Sequence, residues 1–277
     1  MPFDHTFRTV DFGAVPLTIC RIFDGMPIRH AFTTRAGGVS TGAQASLNLD
    51  HKQDTVENVY QNHLILADAL GYDPHAMVST RQIHSAIIRI AGAKDAGQHL
   101  DGPVPYECDG LITDQPGRPL IAYSADCIPV LLYAPDVHAV AALHAGWRGT
   151  AADIAAHGVR RLQEVYGADP RQMIAAIGPG IANCCFTTHD DVPRAMQEAF
   201  GTEVNAFITP EADSPGRFHV DLKAINSWRL QTAGVPADSI AVSPECTCCL
   251  PDKYWSHRAS GGNRGGQAAV IMLAERP

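Results

Sequence analysis

The sequence lacks any apolar run approaching the ~20 residues needed to cross a bilayer, which excludes a helical membrane span. Its first residues, MPFDHTFRTVDFGAVPL, carry acidic groups where a secretory leader needs Lys or Arg, and no apolar core of leader length; a cytoplasmic protein is expected. There is no excess of positive charge. With a formal charge of -8, long-range attraction to nucleic acid or anionic lipid is not expected. Internal repeats and low-complexity linkers are absent. Pro and Gly are spread along the whole length, which suits many tight turns in one domain better than two domains and a hinge. The glycine-rich GGNRGG has no strand–glycine–helix order around it, so a dinucleotide site is not indicated.

What is present is a composition able to build a large core: 277 residues, 45% hydrophobic and 18% charged, which excludes disorder and fits one α/β domain over residues 1–277. The spacing of Val56, Tyr60, His63, Ala67 and Leu70 predicts a helix, with Asp54 and Glu57 as a capping box and Gly71 as its stop. The segments AMVSTRQIHSAIIRIAG, DGLITD, RPLIAYSADC, IPVLLYAP, HAVAALHAGW, QMIAAIGPGI and the final AAVIMLAE read as short buried strands. Further helices are expected after Gly149 up to Gly167, from Asp190 to Phe200 and from Asp221 to Ala233. The fold class is mixed α/β, with flanking helices and a strand order that the pattern leaves open.

Eight cysteines, at 20, 108, 127, 184, 185, 246, 248 and 249, are expected to be reduced thiols rather than a disulfide framework. Two of the strand-end segments hold chemistry-bearing groups. Cys127 follows Asp126 and precedes Ile128-Pro129 at the mouth of one apolar run; His144 closes another, before Ala-Gly-Trp-Arg-Gly. His84, in RQIHS, lies in a third turn of similar character. Two imidazoles and one thiolate on converging strand ends would form a three-ligand zinc site with an open fourth position. The same residues could instead form a Cys–His nucleophile pair. Arg148 and the expected helix start after Gly149 offer an anion site. Arg258 and Arg264 could fork onto phosphate or carboxylate, and Arg35 and Asn48 sit in turns able to approach a ligand. Asp126 is adjacent to Cys127 and would face away from it on a strand. Cys246, Cys248 and Cys249 lack paired zinc spacing and read as a cysteine-rich turn near a pocket.

TRAGGVS, LNLD, QIHS, DGLIT, ADCIPVLL, ALHAGWRG, IGPGI, HVDL and CT…WSHR occur in one order over roughly residues 30 to 273. In that order they resemble the YfiH-type family, also called laccase-domain or polyphenol-oxidase-like, peptidoglycan editing factor, and purine nucleoside phosphorylase. The resemblance implies a cysteine-hydrolase-like α/β architecture and zinc, with copper as the other metal, on His84, Cys127 and His144. It also implies a catalytic role for these three, with Arg35, Asn48, Arg148 and Arg258 at positions able to line the substrate pocket. The activity it implies is phosphorolysis of adenosine, inosine, guanosine and methylthioadenosine, with phosphate as co-substrate, and deamination of adenosine; the protein would be a monomer or a weak homo-oligomer. The chain departs from the pattern in three places: Thr187 stands where a Glu is usual, Ala259 replaces the second arginine of S-x-R-R, and the terminal Gly-Arg is shifted to Arg264–Gly266. Copper polyphenol oxidation would need many imidazoles, often as His-x-His, and none of the thirteen histidines forms such a pair. A cysteine-type hydrolase editing a peptidoglycan precursor would use Cys127 with His84 or His144 as base. A structural zinc protein would need a fourth ligand and no pocket.

Overall fold

The computed structural model describes residues 3–274. The strands assemble into two six-stranded sheets and a small three-stranded one. In spatial order, the first large sheet runs Phe7–Phe12, Val15–Cys20, Ile28–Thr33, Gln267–Leu273, Leu120–Ser124 and Val78–Ser79. All its pairs are antiparallel except the last, where Val78 lies beside Leu120 in parallel. The second runs Ile240–Val242, Ile174–Ile177, Ile128–Ala134, Ala139–Ala145, Gly110–Thr113 and Ile88–Ile90, parallel at its two outer pairs and antiparallel between. The expected last strand is Gln267–Leu273; Glu275, its final expected residue, lies outside the described residues.

Alternation along the strands explains why the two sheets stack. Leu131 and Tyr133 of one strand, with Val140 and Ala142 of its neighbour, point at Phe32, Ala122, Ala269 and Ile271 of the other sheet and form one apolar cluster. The alternate residues Val130, Leu132 and Leu143 face outward onto the helices Ile154–Tyr166 and Leu222–Thr232. On the far side of the first sheet, Leu17, Ala31, Ile121 and Val270 pack on Leu66 and Leu70 of the helix Val56–Leu70. Central strands covered on both faces have no polar side, and so they read as near-continuous apolar runs. The third sheet, Thr187–Thr188, Phe218–Val220 and Ile208–Pro210, packs Val220 and Ile208 into the outward-facing apolar cluster.

Two helix starts differ from the sequence expectation. The N-cap of Val56–Leu70 is Thr55, whose hydroxyl accepts from Asn58 N; Asp54 instead accepts from Ser40 Oγ and from the side chains of Asn48 and Asn58. Gly71 closes that helix in the left-handed conformation at φ 67°, as expected. The helix expected after Gly149 is two helices. Trp147–Ala151 is capped by Gly146, and Ile154–Tyr166 begins only after Asp153, held at φ 62°. The Asp153 carboxylate takes a two-pronged contact from Arg229, at 2.9 and 3.1 Å, which anchors the break. Gly158 is where the longer helix meets the sheet: a Cβ there would lie 2.6 Å from Leu143 Cδ1.

Candidate metal centre and its pocket

The second sheet delivers two of the three donors from one register. Ile128 pairs with Ala145 and Pro129 with His144, so Cys127, just before Ile128, comes level with the end of the neighbouring strand. His84 arrives from the loop between Val78–Ser79 and Ile88–Ile90. The donor atoms of His84, Cys127 and His144 all lie within 4.8 Å of one another, a group able to hold a metal ion. His84 Nε2 is 3.7 Å from Cys127 Sγ, and the two imidazoles meet edge to face with centroids 5.0 Å apart.

Asp109, which sequence reasoning passed over, organises this group. It is wholly buried at the start of the Gly110–Thr113 strand. Its Oδ1 accepts from His144 Nδ1 at 2.9 Å and from His84 N at 3.0 Å; its Oδ2 accepts from Ser85 N and Ser85 Oγ, both at 2.7 Å. Burial works against the Asp109 carboxylate, but the hydrogen bonds from His144 and Ser85 outweigh it and hold it at about 2. An ionised carboxylate only accepts, so His144 Nδ1 carries the proton and Nε2 faces the thiol, the usual orienting partnership of a metal-binding histidine. The only sequence signal for Asp109 is one acidic residue ahead of GLIT, where a buried carboxylate demands partners.

Burial also opposes a Cys127 thiolate, yet the His144 charge and hydrogen bonds from both imidazoles bring the thiol down to about 6. The reciprocal attraction of Cys127, with the Asp109 bond, lifts His144 to about 9 against its burial. Without a metal, the group is therefore a thiolate–imidazolium pair between those values. The donor set, two imidazole nitrogens and an acidified thiol, is one that zinc favours, and its fourth side opens on the cavity. Backbone space is as restrictive as charge. A Cβ on Gly146 would lie 2.6 Å from His84 Cδ2 and 3.1 Å from Cys127 Sγ, so the glycine admits the imidazole. His84 and Asp126 take left-handed backbone at φ 61° and 87°.

The cavity above the three donors has a volume of about 570 Å³. Tyr123, Trp147, Phe186 and His257 supply ring surfaces, and Lys52, Arg81, Arg258 and Arg264 supply cationic groups. Arg258 lines it as expected, with its guanidinium tied to the carbonyls of Cys185 and Thr187. At the departure position 187, the backbone oxygen thus orients an arginine. Arg264 lines it too, paired to Asp50, with its buried Nε unpartnered among the described residues.

Three expected pocket residues lie elsewhere. Arg35 packs its guanidinium 4.0 Å over the Trp255 ring and donates to the carbonyls of Ala45 and Pro251. Asn48 is wholly buried and satisfied: it accepts from Asp50 N and Gly266 N and donates to Asp50 O and Asp54 Oδ2. Asn48 therefore shapes the two loops that bear Asp50 and Gly266 without touching the cavity. Arg148 is exposed, stacked 4.1 Å over Trp147 outside the lining, and the five-residue helix it sits on replaces the expected anion-binding helix start. Asp126 does not face away. It lines the cavity, and both its oxygens are taken, one by Thr247 Oγ1 and the other by Arg258 N, each at 2.7 Å.

A His–Cys–His group at the base of an aromatic, cationic cavity, on two stacked sheets flanked by helices, defines a laccase-domain-like α/β protein with a candidate metal site. Residues 29–274 match the family described as multi-copper polyphenol oxidoreductase laccase, and the chain belongs to that family. It is 37% identical over 247 residues to the purine nucleoside phosphorylase YlmD of Geobacillus stearothermophilus, covering 88% of this chain and 89% of that one. It is 33% identical over 240 residues, 85% and 90% of the two chains, to the adenosine deaminase RL5 of an unknown prokaryotic organism. The crystal structure of the YfiH protein of Bacillus licheniformis superposes with a TM-score of 0.90 at 32% identity, covering 96% of this chain and 98% of that one. The mixed α/β architecture expected from the sequence is the one these neighbours share. Among the described residues, no helix is long and apolar enough to cross a membrane.

Proposed function

We propose that the chain is a zinc-dependent purine nucleoside enzyme, one YfiH-like domain over residues 1–277, that cleaves adenosine, inosine, guanosine and methylthioadenosine with phosphate and deaminates adenosine. The observation that carries this reading is that His84, Cys127 and His144 line the same cavity as Arg258, Arg264 and the rings of Tyr123, Trp147 and Phe186. The names of the relatives supply the reaction class.

In this reading the aromatic faces hold the flat purine, whose apolar surface they match. Arg258 and the free edge of Arg264 hold phosphate near the sugar, and their backbone and Asp50 anchors fix the guanidinium planes in advance. Phosphorolysis breaks the bond from C1′ to the purine nitrogen and forms one from C1′ to a phosphate oxygen. The bonding pair leaves with the base, which takes up a proton. Deamination consumes one water: its oxygen forms the new C6–O bond, the C6–N bond breaks, and the amino group leaves as ammonia with a proton taken from that water. A metal held by His84, Cys127 and His144 would supply Lewis acidity at the open fourth position. Asp109 positions His144, and Asp126, which precedes Cys127 in the chain, accepts from Thr247 Oγ1 and holds the Arg258 backbone.

A copper oxidase reading is not favoured. Among the described residues, only one group of donors that all lie within 4.8 Å of one another contains histidine, and it offers two imidazoles, too few for a three-copper centre. The Asp109–His144–Cys127 chain gives the cysteine-hydrolase reading one specific support, since it aligns an oriented imidazole with an acidified thiol. Incubation of pure, zinc-replete protein with adenosine and phosphate separates the readings. Adenine, ribose 1-phosphate and inosine are expected, and none of them above background from Cys127→Ala. Equal product levels from the two proteins, or no product from either, would contradict the proposal.

A further inference from the structure

The sequence expectation treated Cys246, Cys248 and Cys249 as a turn with no partner pair. The fold supplies one. A loop after the strand Ile174–Ile177 brings Cys184 and Cys185 against a loop after the strand Ile240–Val242, and the sulfurs of Cys184, Cys185, Cys246 and Cys249 all come within 4.8 Å of one another. Cys248 stays outside the group.

We propose that these four cysteines form a second, separate metal site that binds one zinc ion as a tetrathiolate. Two thiolates bound about 2.3 Å from one ion at the tetrahedral angle lie about 3.8 Å apart. The observed sulfur separations are 3.8 Å for Cys184–Cys185, 3.6 Å for Cys184–Cys249 and 3.3 Å for Cys185–Cys249. A disulfide requires about 2.05 Å, and a cluster of four irons spreads its cysteines much more widely than this group. Four sulfurs converging on one point, with no imidazole or carboxylate among them, are a closed donor set of the structural kind. Cys246 already accepts a backbone hydrogen bond from Ala182 N at 3.3 Å, the sort of contact that steadies a thiolate ligand. Nearby, the buried Lys223 ammonium caps the carbonyls of Ser243 and Glu245, adding a positive charge beside a centre that would carry a net charge of minus two. Binding converts four thiols and one divalent ion into the metal tetrathiolate and four released protons; no electron is transferred.

The site's position gives it a purpose. Gly180 and Cys246 form a bridge between the two loops, and Thr247 N donates to Gly180 O. From these loops, Thr247 reaches Asp126, the carbonyls of Cys185 and Thr187 hold Arg258, and Phe186 lines the cavity. A zinc ion would thus staple the two loops that shape one wall of the pocket, while the His84–Cys127–His144 group holds its own ion independently.

Metal analysis of the full-length protein, expressed with zinc and purified under reducing conditions, tests this. The wild type is expected to hold two zinc ions per chain. Cys184→Ser/Cys249→Ser should hold one, and His84→Ala/His144→Ala should also hold one. If the first variant is insoluble, the second still decides the matter. Its remaining ion should be zinc, and cobalt substituted for it should show the strong thiolate-to-metal absorption of a four-sulfur tetrahedral site. A metal-free His84→Ala/His144→Ala protein would overturn the proposal, as would peptide mapping that finds a disulfide among the four cysteines in zinc-replete wild type. Because the readout is metal at a site apart from the cavity, failure here leaves the nucleoside reading standing, and the reverse holds too.

Discussion

At the scale of single residues, the site is a set of charges held in place by buried partners. Asp109 fixes the tautomer of His144, His144 acidifies Cys127, and Asp126, which precedes Cys127 in the chain, accepts from Thr247 and the Arg258 backbone. A reactivity prediction follows from the direction of the Cys127 shift. An ordinary cysteine becomes a thiolate at about 8.5, whereas this one does so at about 6, so its thiolate persists at neutral pH and is lost only as pH falls through about 6. In metal-stripped protein, peptide-resolved alkylation of Cys127 should therefore be half-maximal near pH 6. In His144→Ala the midpoint should move upward, because burial remains and the offsetting charge is gone. In zinc-loaded protein the thiol should be protected, since a metal ligand is not a free nucleophile. Rapid labelling of Cys127 in the zinc-loaded form would favour the cysteine-hydrolase reading instead. Cys127 and His144 were legible in the sequence because polar groups at the mouths of apolar strands stand out. Asp109 was not, since nothing in one acidic residue before GLIT tells which strand end it will face.

At the scale of elements, the strand register between Ile128–Ala134 and Ala139–Ala145 and the capping glycine of Trp147–Ala151 set the distances between the donors. Gly146 is the tightest point. In Gly146→Ala, the new methyl would press on His84 Cδ2 and Cys127 Sγ, and displacement of the imidazole by a few tenths of an ångström is expected. Zinc affinity at this site should drop by about 10- to 100-fold, the size of effect seen when a ligand loses its orientation, with the melting transition of the zinc-free protein little changed. Competition against a chromophoric chelator measures it; unaltered affinity would mean that His84 is not a ligand. The same scale shows what local pattern conveys. The helix Val56–Leu70 was legible through its period and Gly71, and the apolar strands through their runs. Arg35 and Asn48 were misplaced because glycines nearby suggested an approach to a ligand. Those glycines serve backbone packing instead: a Cβ on Gly37 would lie 2.6 Å from Ala14 O, and one on Gly38 would collide with Ser46 O. Arg148 was expected just ahead of a helix start after Gly149; instead it lies inside the short helix Trp147–Ala151, where its guanidinium stacks over Trp147.

At the scale of the whole molecule, two sheets share one apolar interface and carry helices on their outer faces, so the strand ends are rigid and the loops beyond them are free to carry chemistry. The α/β class and the family were legible in the order of short motifs. The division into two stacked sheets was not, since it depends on pairings between distant segments such as Gln267–Leu273 with Leu120–Ser124. The four-cysteine group was hidden for the same reason: Cys185 and Cys249 are 64 residues apart and meet only because Gly180 and Cys246 bridge. The central claim is that His84, Cys127 and His144 jointly hold a catalytic zinc ion. Zinc content of the wild type beside His84→Ala, Cys127→Ala and His144→Ala tests it most directly. Each single variant is expected to lose one equivalent of zinc relative to the wild type, and full zinc retention in all three would contradict the account.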